Sequence, residues 1–180
     1  MQLTTIALAL ACATSLMASS LTEKDTTNNE YIELFRQKSA NGSLVYLGPP
    51  SGTQPARLES TKIGERSSCQ TSAAPSCSTD YTARNDICDS LITELGGDPQ
   101  IGVGISPRQI CYEGASAESD KYCCVSWHDK VPNLVKGDLA GPASSIMQSC
   151  TSNGISGKIS GVMVYQTCTT VCLSDRGTGC

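Results

Sequence analysis

The residues best equipped for chemistry stand in one stretch. Lys121-Tyr-Cys-Cys-Val-Ser-Trp-His-Asp-Lys130 holds two adjacent cysteines, the chain's single tryptophan and its single histidine. Three chemistries use such residue types. A thiolate beside His128 would be a nucleophile. An acid and a base, with Glu113 and His128 as the pair and Arg108 nearby, would give a ribonuclease-like hydrolase. Cysteines with a histidine would hold zinc. The alternative is scaffold: a strand that staples a small domain from both of its faces.

Cysteine counting favours scaffold. The chain has 11 cysteines, and Cys12 falls in an apolar leader. Ten remain: Cys69, Cys77, Cys88, Cys111, Cys123, Cys124, Cys150, Cys168, Cys172 and Cys180. An even number in a short exported chain implies a disulfide framework, here about five bridges. That leaves no free thiol for a nucleophile. No C-x-x-C pair exists, so neither zinc nor any other cofactor is implied. Ten cysteines admit roughly nine hundred pairings, so the connectivity stays open. No G-x-S-x-G elbow marks a serine nucleophile.

The leader spans residues 1–20. Its apolar run from Ile6 to Ala18 is too short to span a bilayer, and Ala18-Ser19-Ser20 offers small residues for cleavage before Leu21. The expectation is a secreted, extracellular protein without a membrane span. Residues 21–66 form a polar N-terminal segment. Within it Glu30-Tyr-Ile-Glu-Leu-Phe-Arg-Gln-Lys38 reads as a short helix and Ser43–Gly48 as a strand ended by Pro49-Pro50. The stretch from Ser51 onward reads as linker. Asn41-Gly-Ser43 is a glycosylation sequon. Residues 67–180 form the cysteine-rich domain.

Charge narrows the partners. Residues 21–66 carry six basic and six acidic residues, and residues 67–180 carry seven and eleven, so the net −4 resides in the cysteine-rich domain. No Lys/Arg cluster supplies the footprint of nucleic-acid or anionic-membrane binding. Aromatics are few, so the core must combine small aliphatics with bridges.

The elements that would position the reactive stretch can be read from spacing. In the segment Tyr81–Gly97 the apolar set Ile87, Cys88, Leu91, Ile92 and Leu95 predicts a helix capped by Asp80 or Thr82 and ended by Gly96-Gly97. Gly137–Cys150 predicts a second, with Asp138 as N-cap, Pro142 in its first turn and Asn153-Gly154 closing it. Both carry a cysteine on the apolar side, Cys88 and Cys150. Strands are predicted at 109–112, 122–127 and 158–168, with 169–173 extending the last or forming another. The order predicts an α+β fold: a two-layer α/β sandwich, two helices on a mostly antiparallel sheet.

In a strand, Cys123 and Cys124 point to opposite faces. One can reach a helix, with Cys88 or Cys150 as candidates, and the other a loop or the flanking segment. Trp127 falls on the face of Cys123 and His128 on that of Cys124. Trp127, His128 and Asp129 form the candidate binding surface at the strand's end.

An ordered set of short motifs adds a family. Residues 77–180 resemble the small secreted fungal proteins that carry the "WD-like" fungal domain. The resemblance rests on Asp86-Ile-Cys-Asp-Ser-Leu-Ile92, Ser106-Pro-Arg-Gln-Ile-Cys111, Cys123-Cys-Val-Ser-Trp-His-Asp129, Gly137-Asp-Leu139, Asn153-Gly-Ile-Ser-Gly157 and Cys168-Thr-Thr-Val-Cys-Leu-Ser-Asp-Arg176. It implies secretion and carries over no catalytic residue. In architecture and cysteine count the chain also resembles, more distantly, the killer toxins of smut fungi and related secreted effectors, which implies a disulfide-rich α/β sandwich. The resulting expectation is a non-enzymatic monomer that binds an extracellular protein or a wall polysaccharide. A small hydrolase using Glu113 and His128, or a structural wall component, are the alternatives.

Overall fold

The computed structural model describes residues 31–50, 69, 74–105, 107–115 and 122–175. The expected signal (1–20), the linker after Pro50, Lys121 and Cys180 lie outside the described residues.

The described residues form seven strands and two α-helices. They are β1 (Ile32–Ser39), β2 (Gly42–Gly48), β3 (Ser76–Ser78), α1 (Asn85–Gly97), β4 (Gln109–Gly114), β5 (Tyr122–Trp127), α2 (Gly137–Ser149), β6 (Ser156–Val164) and β7 (Thr167–Ser174). The strands form one sheet in the order β1-β2-β4-β5-β7-β6-β3, every pair antiparallel. The α+β sandwich read from the sequence is therefore the architecture, and β5 runs through the middle of its sheet.

Both helices cover one face. Ile87, Cys88, Leu91 and Leu95 of α1 and Leu139, Ala143 and Ile146 of α2 are buried. They join Leu44, Tyr46, Ile110, Cys123, Val125, Trp127 and Leu173 of the sheet in the main core. Period-two alternation along β5 sends Cys123, Val125 and Trp127 into this core. Cys124 turns to the opposite face, where it forms a second cluster with Val45 and Cys111. At Gly157 a Cβ would lie 2.6 Å from Cys150 Sγ and 2.8 Å from Ile146 Cγ2, so this glycine lets α2 sit close on β6.

Four bridges pin the layers: Cys88–Cys123 joins α1 to β5, Cys77–Cys150 joins β3 to the end of α2, Cys111–Cys124 joins β4 to β5, and Cys69–Cys168 ties the chain before β3 to β7. Cys172 is disulfide-bonded as well. Cys124 thus reaches a neighbouring strand at the position directly opposite it in register, not a loop or the flanking segment.

Several local expectations are corrected. The helix expected at 30–38 gives way to a strand: Ile32–Ser39 is β1, paired with β2 across a two-residue connection, Ala40-Asn41. A lone nine-residue helix is too short to hold itself together. Pairing with β2 and the stacking of Phe35 on Tyr46, with ring centroids 3.8 Å apart, decide for strand. The composition changes near residue 66, but the sheet does not divide there: β2 lies between β1 and β4 and gives Leu44 and Tyr46 to the common core. The predicted strand at 158–168 ends at Val164. Cys168 belongs to β7, beyond the turn at Tyr165-Gln166.

The helix ends also differ. Neither Asp80 nor Thr82 caps α1; its N-cap is Arg84, whose guanidinium pairs with Asp86 at 2.7 Å. That hydrogen bond holds the Asp86 carboxyl below its usual range. A negative charge in the first turn suits the helix dipole. For α2 the N-cap is Lys136, and Asp138, inside the first turn, accepts the Val135 N–H at 3.1 Å. Its carboxylate reaches back to the entering chain as the acidic member of a capping box does. Pro142 consequently falls in the helix interior, past the first turn. Gly154, with φ 73°, closes a short 3-10 turn at Thr151–Asn153.

Candidate functional site

The residues proposed for chemistry are pulled apart by the fold. Glu113 stands opposite Tyr122 at the start of β5, and His128 follows Trp127 at its end. Six residues of strand separate the two ends, about 20 Å at ~3.3 Å per residue. Glu113 is also engaged elsewhere: its Oε2 accepts from Arg36, and its Oε1 accepts from the Tyr122 hydroxyl at 3.4 Å. Arg36 bridges Glu113 to Glu33, which it contacts at 2.8 Å. The hydrogen bond from Arg36 lowers the Glu33 pKa and raises that of the guanidinium. Glu113 and His128 are thus no acid–base pair. Arg108 does reach the strand's other end, where its Nη1 donates to the His128 carbonyl at 3.2 Å.

Trp127 does not belong to the surface proposed for it. It is 2 % exposed and packs into the helix-side core. His128 and Asp129 are exposed, and His128 Nδ1 lies 3.3 Å from Asp129 Oδ1. Backbone bonds hold them: the His128 N–H donates to the Thr170 carbonyl at 3.0 Å, and the Asp129 N–H to Thr169 Oγ1 at 3.0 Å. Asn41 is exposed in the β1–β2 turn. Among the described residues no group of three or more His, Cys, Asp or Glu could hold a metal ion. No helix among them is long and apolar enough to cross a membrane.

His128 does border a cavity, one that sequence reasoning missed. It has a volume of about 460 Å³ and lies over β7, β6 and β3. Its floor belongs to the helix-free face. Ser76 pairs with Lys158, Lys158 with Cys172, and Cys172 with Ser126, a row that alternates with the core row of Val125 and Leu173. Cys77, between Ser76 and Ser78, points the other way, to its bridge with Cys150 on α2.

Two backbone features shape the cavity. Between the pairs Ile159↔Val171 and Val162↔Thr169, β6 has two residues, Ser160 and Gly161, where β7 has Thr170 alone. This is a β-bulge, and its second residue, Gly161, takes φ 68°, a left-handed backbone that glycine adopts without strain. At the opposite rim Tyr81 is left-handed, φ 55°, and 53 % exposed. The buried Ser156 hydroxyl donates its single proton to the Asp80 carbonyl at 2.5 Å and lies 3.2 Å from the Ser78 carbonyl as the longer arm of a shared contact. The Asp175 N–H donates to the Tyr81 carbonyl at 3.3 Å. These bonds grip the loop on both sides of the strained residue. No periodicity in the sequence announces such a loop; its only trace was Asp80, read as a helix cap.

The structure defines a class: a disulfide-pinned α+β sandwich with a polar cavity on part of the helix-free face of its sheet. The chain belongs to the Fungal WD-like family, whose profile matches residues 13–180. The match reaches well ahead of the motifs at 77–180 and takes in β1 and β2, in keeping with their place in the sheet. No curated protein and no solved structure matches the chain.

Proposed function

We propose that this protein works outside the cell as a non-enzymatic binding module. The observation that carries the reading is that all nine cysteines among the described residues are disulfide-bonded. Such a framework forms and persists in oxidising compartments, and is usual in small exported domains. The leader at residues 1–20 and the sequon at Asn41 point to the same compartment. Binding is favoured over the hydrolase because Glu113 is ion-paired about 20 Å from His128. The polar cavity beside His128 is the surface through which the module acts.

The test is expression from the native leader in a fungal host, followed by fractionation and intact-mass measurement. The expected protein starts near Leu21, has no free thiol, appears in the medium, and loses mass to an endoglycosidase unless Asn41 is replaced by Gln. Retention inside the cell with reduced cysteines would sink the proposal. Quantitative retention in the insoluble wall fraction would assign it instead to the wall's structure.

A further inference from the structure

We infer that the cavity over β7, β6 and β3 is a carbohydrate site: a neutral sugar chain lies along it, stacked on the ring of Tyr81. This rests on the extracellular-binding reading and names the ligand class for it.

The size is right for a small ligand. About 460 Å³ falls within the roughly 300–1,000 Å³ of such clefts. The lining narrows the chemistry. Ser76, Ser78 and Ser160 line the cavity with exposed hydroxyls, while Ser156, Thr170 and Ser174 line it from more buried positions, Ser156 with its hydroxyl turned to the Asp80 and Ser78 carbonyls. A hydroxyl both donates and accepts, so a carpet of them suits a ligand that does the same at many points. Charge is balanced: Asp80 carries one sign, Lys158 the other, and His128 is the one remaining titratable side chain besides Tyr81. A phosphate or sulfate ligand would call for clustered Arg or Lys. A lipid would call for an apolar lining. A sugar offers hydroxyls on its edge and C–H groups on its face, and Tyr81 supplies the one aromatic surface to meet that face.

The backbone gives an independent argument. A non-glycine residue at positive φ is strained, and such strain persists only where surrounding contacts over-determine it. Here the bonds from Ser156 and Asp175 do so, and they keep a half-exposed tyrosine at the cavity's rim. The bulge at Ser160-Gly161 lies on the same cavity, and bulges recur beside binding sites because they re-aim side chains.

The test uses the full secreted chain and three soluble probes: laminarihexaose, chitohexaose and mannohexaose. Titration calorimetry is expected to show at least one of them saturating at ~1 mM or tighter. For that probe Tyr81→Ala weakens binding at least about tenfold and Tyr81→Phe keeps it, as stacking requires. Ser160→Trp, which fills the cavity from an exposed position, abolishes binding. Tyr165→Ala, an exposed tyrosine outside the cavity, leaves it unchanged. Each variant is first checked for the parent's disulfide mass and thermal midpoint; if Tyr81→Ala misfolds, Ser160→Trp against Tyr165→Ala decides. Failure of all three probes to saturate overturns the inference, as does parental affinity in Ser160→Trp. If wall or host extracts nonetheless capture the parent and Ser160→Trp prevents it, the sugar is wrong while the extracellular-binding reading survives. If the chain is intracellular and reduced, that reading falls first.

Discussion

Among the described residues Tyr46 has the largest of the fully buried side chains, and its hydroxyl finds no hydrogen-bond partner among them. A buried unsatisfied hydroxyl costs about 1–3 kcal/mol, so removing it returns part of that cost. Tyr46→Phe keeps the ring stacked on Phe35 and is expected to stabilise the fold by about 1 kcal/mol. Burial also raises the Tyr46 pKa above the ordinary phenol value. The stability that its neutral form contributes is therefore present below about pH 10 and lost as pH rises through the elevated folded-state pKa. Chemical denaturation of the parent and Tyr46→Phe at about pH 8 and about pH 10.5 checks both parts. The variant should have the higher midpoint throughout and the smaller alkaline loss. A midpoint below the parent's at the lower pH would show that the hydroxyl does find a partner.

Lys136 is the other residue whose setting decides its role. It is 1 % exposed, and its Nζ donates to the Glu94 carbonyl at 2.7 Å. Glu94 lies in the last turn of α1, where carbonyls lack helical partners and a cation suits the dipole. Lys136→Met retains most of the stem but leaves that carbonyl without this donor. The expected loss is about 1–3 kcal/mol, read as a fall in denaturant midpoint. Neither burial was legible in the sequence. A lysine before Gly137 and a tyrosine in a strand are ordinary surface or half-buried residues until a helix end or a neighbouring strand is placed against them. Cys123 and Cys124 were legible as a two-faced pair because strand geometry alone separates them.

At the scale of elements, the helices were readable from spacing and the first strand was not. Ile87, Cys88, Leu91 and Leu95 make an apolar stripe that only a helix presents to one side. The stretch Ile32–Ser39 has no such stripe, and its structure comes from β2 and Phe35–Tyr46 stacking, contacts that local propensity does not contain. How closely α2 packs was equally hidden, since it depends on Gly157 facing Cys150. Gly157→Ala forces a methyl against Cys150 Sγ and Ile146, while the Cys77–Cys150 bridge limits how far α2 can retreat. Overpacking of this kind costs about 1–3 kcal/mol. Gly141→Ala supplies the contrast: it lies in the same helix, exposed, with nothing within 4 Å of its added Cβ. It should gain up to ~1 kcal/mol from helix propensity. Opposite shifts in thermal midpoint are the expected result. Equal shifts would mean that α2 does not depend on close approach at Gly157.

At the scale of the whole molecule, the sequence divides at about residue 66 and the sheet does not. Cysteines and charge both mark the division: the ten cysteines after the leader and the net −4 all lie beyond it. The hairpin β1–β2 needs no bridge among the described residues because it is held by register on both sides: β2 pairs with β1 along one edge and with β4 along the other. It also completes the core, since Leu44 and Tyr46 are fully buried. Removing it would expose the β4 edge and the apolar surface of Ile110 and Tyr112 that β2 now borders. Burying side chains of this size contributes about 1.5–3 kcal/mol each. Losing Leu44 and Tyr46 with their neighbours therefore takes a large share of the roughly 5–15 kcal/mol that holds a domain of this size together. A chain shortened to begin at Ser51 is expected to lose its cooperative thermal transition and to associate through the bared β4 edge. Near-ultraviolet circular dichroism and size-exclusion chromatography report the two effects. A monomeric product with the parent's midpoint would instead make residues 31–50 a dispensable flap, and the sheet from β4 to β3 a domain complete in itself.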